Sequence, residues 1–177
     1  MQAAAIIVGE IGKSGARLWN LAEQIGFTAV VPYTGLQAAE RQCAATPLLF
    51  FLFDAVADIA TLKPTAEAIR FSGSRSLRFS PMVYLDASPS LDAIRRCIDM
   101  GFDDVVTAPF SAARVGARLR RLVGHPHTYF ESAGYVGPDR KISLTSEPGD
   151  GKYRRLEIMR STAAGVSIVS DELQVLL

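Results

Sequence analysis

The residues best placed to do chemistry in this chain are acids that close short apolar runs. Asp54 ends PLLFFLFD, Asp86 follows PMVYL, and Glu10 follows Gly9 at the close of AAAIIVG. Carboxylates gathered at strand ends can bind a divalent cation weakly, or they cap backbone amides and stay in water. Lys13 stands close after Glu10 and is a candidate anion contact. The segment GEIGKSG suggests a phosphate-binding loop, which needs Gly, four residues and then Gly-Lys-Ser/Thr. Gly9 lies only three residues before Gly12, so that loop is two residues too short to wrap a phosphate. Lys13 therefore reads as a solvated residue at a helix start that adds positive charge near the acids. His125 and His127 flank Pro126 with no Cys or carboxylate at metal-ligand spacing, and both are expected in solvent. Cys43 and Cys97 fall among apolar neighbours on expected helices and read as reduced core or near-core thiols. No Ser-His-Asp or Cys-His arrangement can be assembled.

Acids at strand ends matter only if the strands share a sheet. AAAIIVG and PLLFFLFD are apolar without alternation, as strands buried on both faces must be. FTAVVPY, PMVYL and DDVVTAP complete five expected strands. Helices are expected between them. Ser14 caps the first, which carries Leu18, Trp19, Leu21, Ala22 and Ile25 and stops at Gly26. A helix of Ala, Leu and Gln runs from Gly35 to Ala45. Asp58–Ile69 is helical in composition, with Pro64 opening, kinking or interrupting it. FSGSRSLRFS is a polar connector. LDAIRRCIDMG carries Leu91, Ile94, Ile98 and Met100 near helical spacing, and Ser111 opens SAARVGARLRRLV. Alternating β and α segments joined by right-handed crossovers give an α/β, flavodoxin-like, doubly wound parallel sheet of order 2-1-3-4-5 over residues 1–123. In such sheets the crevice lies at the carboxyl ends of the strands, which brings Gly9, Glu10, Asp54, Asp86, Thr107 and Ala108 together.

After Gly124 the pattern changes to a β-rich extension, residues 124–177. HPHTYFESAGYVGPDRK reads as loop, ISLTSEPGDGKYRRLEI as two short strands around a Pro-Gly-Asp-Gly turn, and RSTAAGVSIVSDELQVLL as one more strand and a closing segment. So short a piece buries little core alone, so it is expected to pack on residues 1–123 or on a second copy.

Nineteen Lys and Arg against eighteen Asp and Glu leave a formal charge of +1, which calls for neither nucleic acid nor a membrane surface. MQAAAIIVGE lacks the basic start and long apolar run of a leader, and PLLFFLF is too short to span a bilayer, so a cytoplasmic protein is expected.

The order of elements, and MGFDDVVTAPF above all, resembles the receiver domain of two-component response regulators. The family phrase is an Ala/Gly-Ala-Asp-Asp, an apolar pair and Thr-Lys-Pro-Phe. Gly101, Asp103, Asp104, Val105, Val106, Thr107, Pro109 and Phe110 fit it, and the resemblance covers residues 3–123. It implies a phospho-accepting Asp at the end of the third strand, two acids after the first that hold Mg2+, a Lys before the Pro and a switch hydroxyl after the fourth strand. Asp54 stands at the acceptor position. Gly9 and Glu10 occupy the acid pair, leaving one carboxylate. Asp86 takes the switch position (Ser88 comes two residues too late), and Ala108 replaces the Lys. An acid beside a phosphoaspartate is repulsive, and the missing Lys removes the compensating cation.

These departures imply an atypical, pseudo-receiver protein: no enzyme, no resident cofactor, and at most weak Mg2+ binding through Glu10 and Asp54. It is expected to act by contact with a protein partner, a histidine kinase or regulator, and as a homodimer. Receivers commonly pair through the last two helices, where Arg114, Arg118, Arg120 and Arg121 otherwise read as a solvated face. One alternative is a phosphorylatable single-domain regulator using Asp54. Another is a nucleotide or cyclic-dinucleotide sensor, because KYRRLEIMRSTAAGVS faintly resembles the cyclic di-GMP signature of PilZ domains, with Arg160 at the acid position and Thr162 at the Ser position. The plainer reading of that segment is a strand pair with exposed Arg.

Overall fold

The computed structural model describes residues 1–9, 13–140 and 152–175, with the backbone alone at Lys13 and Ser14. Five parallel strands, β1 (Ala4–Val8), β2 (Ala29–Pro32), β3 (Leu49–Asp54), β4 (Met82–Leu85) and β5 (Asp104–Val106), form a sheet in the order β2-β1-β3-β4-β5. Strand side chains alternate faces, so unbroken apolar runs must feed two cores. Ile6, Phe51, Phe53 and Tyr84 pack into one; Ile7, Phe50, Leu52 and Val83 pack into the other.

The helices are α1 (Lys13–Ile25), α2 (Leu36–Ala45), α3 (Lys63–Arg70), α4 (Arg75–Arg78), α5 (Leu91–Asp99) and α6 (Ala112–Arg120). Gly26 (φ 84°) and Gly101 (φ 79°) end α1 and α5 in the left-handed region. The Ser111 hydroxyl accepts from Arg114 N at 3.2 Å, and Ser90 does the same for Ala93 at 3.0 Å. Pro64 opens α3, which follows a 3₁₀ turn at Ile59–Leu62 capped by Asp58. Three details depart from expectation. Ser14 lies inside α1 rather than capping it, since the helix starts at Lys13. The polar connector holds the single-turn helix α4. Leu91 sits on the first turn of α5 with 75% of its surface exposed, off the buried face.

The extension departs more. The stretch read as loop contains β6 (Pro126–Glu131) and β7 (Val136–Pro138). β8 (Lys152–Ser161) and β9 (Gly165–Val175) form a hairpin that turns at residues 162–164. The expected first strand and its turn fall mostly in residues 141–151, outside the described residues. Together β7-β6-β8-β9 make a second, antiparallel sheet. β6 was missed because it is held by pairing with β8, Phe130 opposite Arg155, and not by its own periodicity.

This second sheet lies against the amino-terminal end of the first. Phe79, just before β4, joins Tyr129, Val136, Leu156 and Ile158 in a third core, its ring edge-on to Tyr129 with centroids 5.5 Å apart. Backbones close to contact at Gly101 and Gly137, where a Cβ on Gly137 would sit 2.7 Å from Gly101 Cα. The carboxyl-terminal end of the parallel sheet, where Asp54 and Asp86 emerge, is not covered by the second sheet's described residues.

Candidate functional site

β3 and β4 carry Asp54 and Asp86 to the rim of a cleft of about 360 Å³, whose lining includes Arg17, Leu21, Leu85 and Phe110. Asp54 Oδ1 accepts from Ala55 N at 2.9 Å. Its Oδ2 is buried and has no partner among the described residues. Burial pushes the Asp54 carboxyl above the ordinary carboxylate value and Asp86 adds to the rise, while the Ala55 amide and Arg17 oppose it.

Asp86 is spent locally. Its Oδ1 accepts from Ser88 N at 2.9 Å and its Oδ2 from the Tyr84 hydroxyl at 3.2 Å. Ser88 thus contributes its amide in a turn. Burial, with Asp86 beside it, pushes the Tyr84 phenol up to about 12, so Tyr84 stays a donor. Gly9 packs on Asp54, and a Cβ there would lie 3.1 Å from Asp54 Cβ. An acid at position 9 would crowd the acceptor position. Ala108 precedes Pro109 on the exposed side of the β5–α6 connection, with no side chain to reach the cleft.

Glu10 lies outside the described residues, and only the backbone of Lys13 is within them. Arg17 went unnoticed in the sequence, though it stands one helical turn after Lys13 and so shares its side of α1. Among the described side chains it is the cation that acts on Asp54. As for Mg2+, Asp54 Oδ2 is the one carboxylate oxygen in the cleft left unengaged by described residues. No group of three possible ligands exists among those residues. Asp54 therefore offers Mg2+ one carboxylate contact and not a cage.

A second constellation lies at the other end of the sheet. Asp103, just before β5, is buried and its carboxylate accepts four bonds. Arg70 Nη2 (2.7 Å) and Met82 N (2.8 Å) reach Oδ2. Arg160 Nη2 (2.8 Å) and the Tyr129 hydroxyl reach Oδ1. Burial alone would raise the Asp103 carboxyl, but Arg160 and Arg70, with Tyr129 and Met82, outweigh it and hold it at about 2. Arg70 also donates to the carbonyls of Gly101, Arg78 and Ser80. Arg160 donates to those of Phe79 and Leu122. Both guanidiniums lie over the Tyr129 ring, 5.6 and 5.4 Å from its centroid.

This overturns the exposed reading for Arg160, while Arg154 is exposed as expected and Arg155 is partly so. Arg160 is fully buried, Arg154 pairs with both oxygens of Asp171, and Arg155 lies 3.8 Å from Glu157. Arg118 likewise forks onto Asp104 at 2.8 and 2.5 Å instead of standing solvated, while Arg114, Arg120 and Arg121 are exposed. His127 is half-buried, not solvated, and its Nε2 has no partner among the described residues; burial, Arg160 and His125 push its pKa down to about 4. Cys97 is buried, and its thiol is pushed up to about 12 by burial and by Asp86.

No protein-family model matches the chain, and no curated protein matches it. Among solved structures, a CheY-like protein (tadZ) from Pseudomonas aeruginosa superposes with a TM-score of 0.52 at 15% identity, covering 67% of this chain and 98% of that one. A two-component response regulator from Clostridium difficile gives 0.49 at 14% identity over 68% and 94% of the two chains. The receiver domain of a P. aeruginosa sensor histidine kinase, solved with magnesium in its active-site cleft, gives 0.48 at 18% over 67% and 95%. The five-stranded part of this chain has the fold of a CheY-like receiver domain. Among the described residues no helix is long and apolar enough to cross a membrane.

Proposed function

We propose that this chain is a non-enzymatic, cytoplasmic pseudo-receiver of bacterial two-component signalling. It acts by contact with a histidine kinase or regulator, with a homodimer as the working unit and residues 124–177 as a built-in second part. The observation that carries this reading is the state of Asp86. It holds the position where the receiver resemblance expects a switch hydroxyl, and Tyr84 and the Ser88 amide fix its carboxylate beside Asp54. A phosphoryl group on Asp54 would meet that negative charge, and Ala108 supplies no cation to offset it. The test is incubation with acetyl phosphate, or with a beryllofluoride mimic, and Mg2+, read by intact mass and by the amide NMR spectrum. No change in the β4–α5 amides is expected. Stoichiometric modification that disappears in Asp54→Ala would overturn the proposal.

One observation favours a second reading, a phosphorylatable regulator with a reduced pocket. Asp54 Oδ2 is unengaged by described residues, and Arg17 faces it from α1. On that reading the same incubation labels Asp54, and Arg17→Ala slows the labelling.

A further inference from the structure

We propose that the outer half of β9 is the surface through which two copies of this chain pair, edge to edge, into one continuous antiparallel sheet. The inference rests on the homodimer in the reading above and names its contact.

An unpaired strand edge offers a row of N–H and C=O groups to another chain, and folds blunt such edges with short strands, Pro, bulges or charge. Among the described residues the two sheets present four edges, and three of them are blunted. β2 ends in Pro32, β5 has three residues, and β7 has three and ends in Pro138. β9 differs: it has eleven residues, GVSIVSDELQV, with no Pro and no Lys or Arg. Its first half is covered, since Gly165 lies against Pro47 and Val166 and Ile168 pack on the third core. At Val169 the register slips by one, from Ile158 opposite Ile168 to Glu157 opposite Ser170. Beyond this bulge Asp171 still lines a pocket with Gly73, Arg75 and Arg78, and Glu172, Leu173 and Val175 are exposed. Three of the five exposed large apolar side chains of the described residues lie on β9: Val169 (57%), Leu173 (66%) and Val175 (55%).

The sequence past the bulge fits a copy of itself. An antiparallel pair about a two-fold axis places residue i opposite a residue equally far past the centre, on the same face. Centring on Leu173 sets Leu173 against Leu173, Glu172 against the Gln174 amide, and Asp171 against Val175. Asp171 already has its charge met by Arg154. Centring one residue earlier would face Glu172 with Glu172, and two earlier Asp171 with Asp171, each a like-charge pair. Of these three centres Leu173 is the one that buries the exposed apolar residues without setting acid against acid. Strand addition of this kind takes its affinity from main-chain bonds and its register from alternate side chains.

The test uses the full chain in sedimentation velocity over a concentration series. A concentration-dependent dimer is expected, weakened about tenfold or more by Leu173→Lys, which sets Lys against Lys on the axis. Leu91→Lys, on the exposed turn of α5, should leave it unchanged. In a Cys43→Ser background, Leu173→Cys should form an intermolecular disulfide under mild oxidation, and Ser167→Cys on the covered half should not. A dimer that survives Leu173→Lys, or that Leu91→Lys abolishes, together with no Leu173→Cys cross-link, overturns the β9 contact and leaves the homodimer standing. A monomer at every concentration overturns both.

Discussion

The two ends of the parallel sheet treat an aspartate in opposite ways. At the carboxyl end, Asp54 engages one oxygen with its neighbour's amide and leaves the other unengaged by described residues in a cleft. At the amino end, Asp103 has both oxygens doubly engaged and is clamped between two arginines. Burial acts on both carboxyls in the same direction, upward. Only at the amino end do cations overcome it, and the two pKa values move apart. The difference separates a surface kept available from a joint that is fixed. The fixed joint is where the extension meets the receiver part, since Tyr129 and Arg160 belong to the first and Arg70 and Asp103 to the second. A buried ion cluster of this type contributes less to net stability than its bond count suggests, because each group was also solvated in the unfolded chain. What it does strongly is penalise any arrangement in which one member is missing.

The most drastic way to test that joint is Asp103→Ala. It leaves two guanidiniums buried without a counter-charge, and breaking such a cluster from one side costs about 3–5 kcal/mol. Urea denaturation should show a loss of that order. Limited proteolysis should show the chain cut near Gly124 as β6–β9 come away. If Asp103→Ala unfolds at the wild-type midpoint, the amino end is no more fixed than the carboxyl end, and the contrast fails.

The two ends were not equally visible in the sequence. The carboxyl end was legible because its logic is local: PLLFFLFD and PMVYL can only be doubly buried strands, and the acids that close them must emerge at the crevice. The order 2-1-3-4-5 followed from handed crossovers. The amino end was hidden because its logic is remote. Arg160 meets Asp103 across 57 residues and Arg70 meets it across 33, and nothing in KYRRLEIMRS distinguishes the Arg that turns inward from those that turn out. Asp103 was matched as part of a family phrase, with no hint that it carries the joint. β6 was lost for the same reason, since HPHTYFE becomes a strand only when β8 is beside it. At the open end, Arg17 could have been found from its helical spacing to Lys13.

His127 offers a gentler probe of the amino end. It lies on β6 facing inward, near Arg160 and Asp103, and its pKa falls from 6.5 to about 4. A folded pKa below the unfolded one means the native state binds fewer protons. The stability His127 contributes is therefore fully present above pH 6.5 and is lost as pH falls from 6.5 towards 4. His127→Gln should flatten that part of the stability–pH curve. In the wild type, the His127 ring signals followed by NMR should titrate well below the ordinary 6.5. A His127 that titrates at or above 6.5 would mean that Arg160 is not buried beside it.

The smallest expected effect is the one that measures the open end itself. Asp54 has its folded pKa raised above the ordinary 3.8, so the native state holds this proton more tightly than the unfolded chain does. Its contribution favours the fold at low pH and fades as pH rises from 3.8 through the folded value. Asp103 runs the other way: its stabilisation is present above 3.8 and is lost as pH falls towards about 2. Acidification from pH 6 to 2 therefore sets the two aspartates against each other, with Asp103 the stronger because it is buried and doubly paired. Asp54→Asn should raise stability slightly at pH 7, by less than about 1 kcal/mol for a half-buried group in contact with water. It should also steepen the loss on acidification, because it deletes the one proton site of the pair that opposes that loss. A variant less stable than wild type at pH 7 would show that the Asp54 carboxylate is held by attraction, as the paired end is. The cleft would then be a second fixed joint.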